Sequence, residues 1–282
     1  MRYGYFPGCK IPYYLPQYGL SVRAVLGLLG VELVDFEWNC CGYPIRHLSV
    51  EASFLSAARN MALIQQQQLD MLTPCMCCYG NFKHARYRLR KDRSLRRRIR
   101  VLLSQEGLSL AEDVEIKHFL TVLAEDIGIE KIRTGIKRPL HGLKVAAHYG
   151  CHALRPSEVV QLDNPLTPRI FENLIEATGA ESVDWARRLE CCGNPLWEKN
   201  NALSLKLMHS KIEDARHSGA QVLCTACTYC QIQFDSVRRS LPAAEPAADR
   251  PRAVLYSELL GISLGLEKSR LGLEFDSAAW MV

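Results

Sequence analysis

Twelve thiols give this sequence its most reactive chemistry, and their spacing is ordered. Cys9, Cys40, Cys41, Cys75, Cys77 and Cys78 lie in one half of the 282 residues; Cys151, Cys191, Cys192, Cys224, Cys227 and Cys230 lie in the other. Five from each half recur in one order: a single cysteine, a C-C-G, then a C-x-x-C. The offset is 142 residues between Cys9 and Cys151, 151 for each member of the C-C pair, and 152 for each member of the C-x-x-C. Cys77 and Cys224 break that register. The flanks repeat as well: "FPGC" answers "HYGCH", "CCGYP" answers "CCGNP", and "TPCMCCYGNF" answers "TACTYCQIQF". Matching neighbours at a near-constant offset mark a duplicated unit. The expected division is 1–138 and 139–282.

Disulfides do not account for these residues, because adjacent cysteines cannot easily bridge to one another. The sequence starts without a recognisable secretory signal, so the expected compartment is the cytoplasm, where thiols stay reduced. A metal or redox role is the better explanation. Clustered thiolates repel one another unless a cation sits among them, so five together imply bound metal. Zinc takes four ligands and would leave one thiol idle. Cubane iron–sulfur clusters also take four, usually from a compact C-x-x-C-x-x-C run, and none is present. Neighbouring cysteines point in different directions, so a C-C pair could serve adjacent irons or bridge them. That points to a cluster of unusual geometry.

The elements that must position the thiols are legible between them. Short stretches rich in β-branched and aromatic residues precede most cysteines: "YGYF", "GVELVDFEW", "KVAAHY" and "AQVLCT". Longer stretches with helical spacing fill the gaps, among them "LPQYGLSVRAVLGLL", "SVEASFLSAARNMALIQQQQLDML" and "NALSLKLMHSKIEDARHSG". The last ends on a glycine suited to a helix C-terminus. Alternating strands and helices predict an α/β fold of two duplicated units, each a small parallel sheet with flanking helices. Ligand groups in such sheets collect just past the carboxyl ends of the strands, so the cysteines are expected there.

The doubled C…CCG…CxxC pattern, with flanks such as "HYGCHALRP" and "TACTYCQIQFD", resembles the cysteine-rich CCG domain of the B subunit of heterodisulfide reductase. The match spans nearly the whole chain, and all ten motif positions are cysteine. The resemblance implies two noncubane 4Fe-4S clusters facing each other across a substrate site. Cys9, Cys40, Cys41, Cys75 and Cys78 would hold the first; Cys151, Cys191, Cys192, Cys227 and Cys230 would hold the second. It implies an oxidoreductase acting on a disulfide, a thiol or a carrier-bound persulfide. Alternatives are a non-catalytic electron-transfer subunit of another oxidoreductase complex and a zinc-binding structural protein. Members of this family receive electrons through separate polypeptides. The expected partners are therefore an iron–sulfur protein like the C subunit of heterodisulfide reductase and a flavin-bearing protein like its A subunit. A lipoate-bearing carrier protein is a further one.

Other residues read more plainly. His152, beside Cys151, is the candidate proton donor or acceptor. His148 reads as a structural hydrogen-bonding residue, and His47 as a weaker candidate of the same kind as His152. Cys77 and Cys224 read as small buried residues, with a spare-ligand role for Cys77 as the sharper option. Gly8, Gly42, Gly150 and Gly193 allow sharp turns or close approach at the thiols. No glycine-rich phosphate loop or dinucleotide fingerprint appears, which argues against flavin or nicotinamide on this chain.

The net charge of +5 hides one basic segment, residues 83–100, with ten Lys or Arg and one Asp. It can wind as a helix, and the default is a solvated face; docking of an acidic electron donor is the sharper option. No nucleic-acid recognition motif accompanies it. The longest apolar run, "AVLGLLGV", is too short for the roughly 20 residues a bilayer span needs. Mean hydropathy is −0.08, so no membrane insertion is expected. The tail "LGLEFDSAAWMV" carries apolar residues that either pack home or anchor a partner.

Overall fold

A computed structural model describes residues 1–111, 113–238 and 251–273. In chain order the first half contains β1 (Arg2–Tyr5), α1 (Lys10–Tyr14), α2 (Pro16–Leu28), β2 (Glu32–Val34), α3 (Val50–Gln65), β3 (Asp70–Thr73), α4 (Met76–Lys91), α5 (Arg93–Ser104), β4 (Ile116–His118), α6 (Phe119–Thr121) and α7 (Ile129–Gly135). The second contains β5 (Lys144–His148), α8 (Cys151–Leu154), α9 (Ser157–Val160), α10 (Ile170–Ala177), β6 (Glu181–Val183), α11 (Asn201–His217), β7 (Val222–Thr225), α12 (Thr228–Ile232), β8 (Arg252–Leu255) and α13 (Tyr256–Ser263).

Each half forms a four-stranded sheet, ordered β2-β1-β3-β4 and β6-β5-β7-β8, and every pairing is parallel. The α/β duplication expected from the cysteine register is therefore present as two sheets of one topology. The central strands are buried on both faces, which their apolar residues permit: Met71 and Leu72 on β3, and Val222 to Cys224 on β7, are fully buried. Such burial is the rule for parallel sheets covered by helices.

Local chemistry sets the element ends. Ser49 caps α3 by accepting from the Ala52 amide, and the helix buries Phe54, Ala57, Ala58, Met61 and Ile64. Its sequence stretch does not stay helical to the end, since "DMLT" turns away to become β3. The basic segment does not form one helix either. Asp92 interrupts it, adopts an extended backbone and accepts from the Leu95 amide, so α4 ends and α5 begins there. Asp is a strong N-cap and a poor interior helix former, which is why the break falls on the segment's one acidic residue.

The two halves are joined by buried contacts. Ser21 and Ser257 hydroxyls lie 2.7 Å apart between α2 and α13, and the Tyr79 hydroxyl on α4 donates to the Val160 carbonyl at 2.6 Å. The helices α4 and α12 begin at this seam, which sets what each C-x-x-C can reach.

Candidate metal centres

All ten motif cysteines follow the carboxyl ends of strands, on loops or at helix starts. Cys9 follows β1, Cys40 and Cys41 follow β2, and Cys75 follows β3. Cys151, Cys191 with Cys192, and Cys227 follow β5, β6 and β7 in the same way.

In the first unit the thiols touch in a chain. Cys9 contacts Cys40, Cys40 contacts Cys41, Cys41 contacts Cys78, and Cys78 contacts Cys75. Backbone devices hold them there. Gly8, at φ +74, has no room for a side chain, because a Cβ would sit 2.9 Å from Cys78 Sγ. Gly42, at φ +94, lets its amide turn back to donate to Cys40 Sγ at 3.4 Å. A Cβ there would collide with the Ser53 carbonyl at 2.3 Å. The Cys40 carbonyl accepts from Ser56 Oγ at 2.6 Å and from Asn60 Nδ2 at 3.2 Å, and the Cys41 carbonyl accepts from Asn81 Nδ2 at 2.7 Å.

The second unit repeats the chain: Cys151 to Cys191, Cys191 to Cys192, Cys192 to Cys230, and Cys230 to Cys227. Gly193 donates to Cys191 Sγ at 3.4 Å. Two tryptophans that no sequence motif singled out anchor the loops. Trp38 Nε1 donates to the Tyr5 carbonyl at 2.8 Å, and Trp185 Nε1 donates to the Ala147 carbonyl at 3.0 Å. Each pins the loop carrying its C-C pair to the end of a central strand. Their only sequence signal is a shared place a few residues before C-C.

The electrostatics are those of a cation site. Hydrogen bonds from Cys41 and Cys9 pull the Cys40 thiol down to about 3, and Cys151 and Cys192 pull Cys191 down to about 2. The partners move the other way. Cys9 is pushed up by donating to Cys40, and Cys151 by donating to Cys191. Burial raises Cys75, the largest single effect there, yet donors at Cys227, Cys77, Cys78 and Thr228 together hold it well below the usual thiol range. One or two sulfurs per group can thus ionise at the expense of the rest. Full ionisation of such a set requires a bound cation. The chemistry also fits a soft metal. All twelve cysteines are free, and two buried sets, Cys75 with Cys77 and Cys227, and His148 with Cys192 and Cys230, have ligand atoms within 4.8 Å of one another.

Three of the matched positions at which the units differ lie against the thiols. His148 stands 142 residues after Phe6, and its Nε2 lies 3.3 Å from Cys230 Sγ. Burial holds His148 well below its usual range and therefore neutral, with the Lys211 charge acting in the same direction. Lys211 stands 151 residues after Asn60; it is 0% exposed, donates from Nζ to the Arg187 carbonyl, and lies 4.6 Å over the Trp185 ring. Burial lowers it to about 8, opposed by Cys192 and Cys230, so it stays cationic at neutral pH. Cys77 and Tyr229 stand 152 residues apart. The Cys77 thiol is 3.9 Å from Cys227 Sγ, so the small-buried-residue expectation for Cys77 is incomplete: it is buried, but among sulfurs at the seam. Cys224 remains what was expected, a buried strand residue with Glu258 as its charged neighbour.

Of the histidines, His152 is brought to the seam and His47 is not. His152 Nε2 lies 2.9 Å from the Tyr43 hydroxyl, which comes from the turn Tyr43–His47 after the first C-C-G. The same turn leaves His47 at the surface. Arg46 donates to the Tyr43 oxygen at 3.3 Å, so the guanidinium, the phenol and the imidazole form one hydrogen-bonded group. Burial, then Arg46, lowers His152 to about 4. The basic segment is partly tied to its own unit, with Arg98 bidentate on Glu51 and Arg86 donating to the Val114 carbonyl. The tail beyond 273 lies outside the described residues, whereas Leu271 and Leu273 pack inward.

Two parallel α/β units, each gathering five thiols from C…CCG…CxxC, define a duplicated cysteine-rich domain. The chain belongs to the CCG cysteine-rich domain family, which it matches over residues 3–83 and 145–235. Over 276 residues it is 33% identical to the B subunit of ferredoxin:CoB-CoM heterodisulfide reductase of Methanosarcina mazei, covering 95% of this chain and 91% of that one. It is 32% identical over 248 residues to a protein of Archaeoglobus profundus described as like the B subunit of heterodisulfide reductase, covering 86% and 83% of the two chains. It is 31% identical over 277 residues to the 8-methylmenaquinol:fumarate reductase membrane anchor subunit of Wolinella succinogenes, covering 98% and 96%. The Methanosarcina and Wolinella relatives are subunits of reductases. A crystal structure of a hypothetical protein from Helicobacter pylori shares the fold, with a TM-score of 0.73 at 15% identity over 97% of this chain; this chain spans about half (51%) of that one. Among the described residues no helix is long and apolar enough to cross a membrane.

Proposed function

We propose that this chain is the iron–sulfur subunit of a heterodisulfide reductase-like complex, cleaving or forming a disulfide, or handling a carrier-bound persulfide, between two noncubane 4Fe-4S clusters. Cys9, Cys40, Cys41, Cys75 and Cys78 would hold one; Cys151, Cys191, Cys192, Cys227 and Cys230 would hold the other. The observation that carries this reading is the meeting of the two thiol chains, where Cys75 contacts Cys227. Iron would supply a Lewis acid toward sulfur and one-electron steps when bound.

The chain's own share is to position sulfur and manage protons. Cleaving a disulfide consumes two electrons and two protons and releases two thiols. His152, kept neutral by burial and hydrogen-bonded to the Tyr43 hydroxyl, would take a proton from a substrate thiol beside Cys151 when the reaction runs toward the disulfide. The electrons would come from an iron–sulfur partner like the C subunit of heterodisulfide reductase and a flavin-bearing partner like its A subunit. A lipoate-bearing protein is the carrier we favour for bound sulfur. We place the boundary between units at 138/139 and the chain in the cytoplasm, where twelve free thiols stay reduced.

Anaerobic purification should yield about eight irons per chain and negligible zinc. Added disulfide should be reduced when an electron donor is supplied, and added thiol should change the electron paramagnetic resonance spectrum. About one or two zincs and no iron would instead favour a structural zinc protein. A second reading, electron transfer without catalysis, is favoured by the fumarate reductase relative. It predicts full iron loading with a spectrum indifferent to thiols and disulfides.

A further inference from the structure

Cys77 and Tyr229 occupy the same place in the duplicated unit, two residues into the C-x-x-C, and each reaches the other unit's thiols as well as its own. Tyr229 lines the cavity that holds Cys9, Cys41, Cys75 and Cys78, and its neighbour Thr228 brings Oγ1 to 3.0 Å from Cys75 Sγ. In exchange, Met76 and Cys77 line the cavity that holds Cys151, Cys192, Cys227 and Cys230. The exchange follows from α4 and α12 starting at one seam. The first residues of each helix point outward from its own strand end and meet the opposite unit.

The exchange is symmetric in backbone and unequal in chemistry. The first unit's thiols receive a hydroxyl and a phenol from across the seam; the second unit's receive a thioether and a thiol. Cys77 is 5% exposed, and its sulfur lies within 4.8 Å of both Cys75 and Cys227. Cys224, the other cysteine outside the repeat, has the Glu258 carboxyl rather than a thiol as its charged neighbour. Burial alone therefore does not account for Cys77.

We propose that Cys77 is a sixth sulfur donor to the second metal centre, supplied by the first unit. Ligation exchanges its S–H bond for a sulfur–metal bond and releases one proton. The two centres are then chemically distinct, and the second depends on the first unit for its completion. The inference rests on the metal-centre reading above.

The test uses the full chain, purified anaerobically, in two backgrounds. Cys9→Ala leaves the second centre as the source of the paramagnetic signal; Cys151→Ala leaves the first. Adding Cys77→Ala to the Cys9→Ala chain should shift the remaining signal or lower its iron at least twofold. Adding it to the Cys151→Ala chain should change neither. Cys77→Ser should give a smaller change than Cys77→Ala, and Cys224→Ala should match the wild type. An unchanged second-centre signal, or an effect confined to the first centre, overturns the proposal. If the wild-type chain carries zinc without iron, the iron–sulfur reading fails independently, and Cys77 is then judged by whether Cys77→Ala lowers zinc per chain; no loss overturns it.

Discussion

The Tyr43 hydroxyl lies 2.9 Å from His152 Nε2, and the two residues come from different units. Arg46 donates to the same hydroxyl oxygen, which joins the three groups in one hydrogen-bonded chain. If His152 takes a proton from a substrate thiol in the direction of disulfide formation, His152→Gln should lower thiol oxidation by about 10²-fold, the lower range for a lost general base. Tyr43→Phe, which removes only the aligning group, should cost about tenfold. Iron content should be unchanged in both. Neutral His152 is the working form, so the rate should fall as pH drops through about 4. Arg46→Ala removes a cation that lowers this imidazole, and should move the acid limb to higher pH. A pH profile of turnover across the three variants measures this; coincident profiles would remove His152 from the mechanism.

The C-C pairs offer a direct test of partnership between the centres. Cys41 and Cys192 are the buried members of their pairs, and each links the pair to its C-x-x-C through Cys78 or Cys230. Cys41→Ser and Cys192→Ser should each cut iron to about half of the roughly eight per chain. Either should abolish disulfide turnover, because the reaction as proposed uses both sulfurs of the substrate at once. Iron analysis beside a turnover assay gives the answer. A variant that loses its cluster and keeps turnover would show that one centre suffices.

The cysteine register is legible because it is a covalent pattern, and it carries the duplication, the sheet class and the thiol groups with it. What stays hidden depends on how the units meet. Tyr43 and His152 are 109 residues apart and become neighbours only across the seam. Cys77 looks like a residue out of register, since no local pattern says that a helix start will face the opposite unit. His148 and Lys211 stand where the first unit has Phe6 and Asn60, and that comparison has meaning only once both loops are seen to surround thiols. The strands β2 and β6 span three residues each, too short for alternation to set their ends. The interruption at Asp92 is readable in principle, because Asp followed by Arg-Ser-Leu is an N-cap in waiting.

Lys211 places a positive charge beside the second unit's thiols, where the first unit has the neutral Asn60. A nearby cation stabilises the reduced, more negative form of a cluster. Lys211→Met should therefore lower the midpoint potential of the second centre by on the order of 50 mV, about one tenfold shift in a one-electron equilibrium. The first centre should stay where it was. A redox titration followed by paramagnetic resonance separates the two. An equal displacement of both potentials, or of neither, would show that the buried ammonium is only a packing element.

Glycine at the turn after each C-C is required twice over. Gly42 has φ +94, and a Cβ on it would lie 2.3 Å from the Ser53 carbonyl; Gly193 has φ +93 and a contact of 2.4 Å with the Ser204 carbonyl. Either substitution to Ala should cost about 1–3 kcal/mol from the backbone alone, with more from the displaced helix, and should reduce iron bound by that unit. Gly27 lies in α2 with nothing within 4 Å of an added Cβ. Gly27→Ala should be neutral or stabilising by up to about 1 kcal/mol. Denaturant midpoints of the three variants test the contrast.

His118, at the end of β4, sets a separate acid limit on stability. It is fully buried, and its Nδ1 accepts from the Leu120 amide at 3.1 Å, which caps the following helix. Burial lowers its pKa from 6.5 to about 4, against the opposing carbonyls of Pro74 and Ala226. Between those values the unfolded chain binds the proton and the folded chain does not. Stability from this group is thus complete above pH 6.5 and is lost as pH falls through that window toward 4. The slope it adds is at most about 1.4 kcal/mol per pH unit. His118→Asn keeps an acceptor for the Leu120 amide without a titrating ring. Unfolding midpoints measured anaerobically between pH 6.5 and 4 should fall less steeply in that variant. Parallel curves would assign the acid sensitivity to the thiol groups instead.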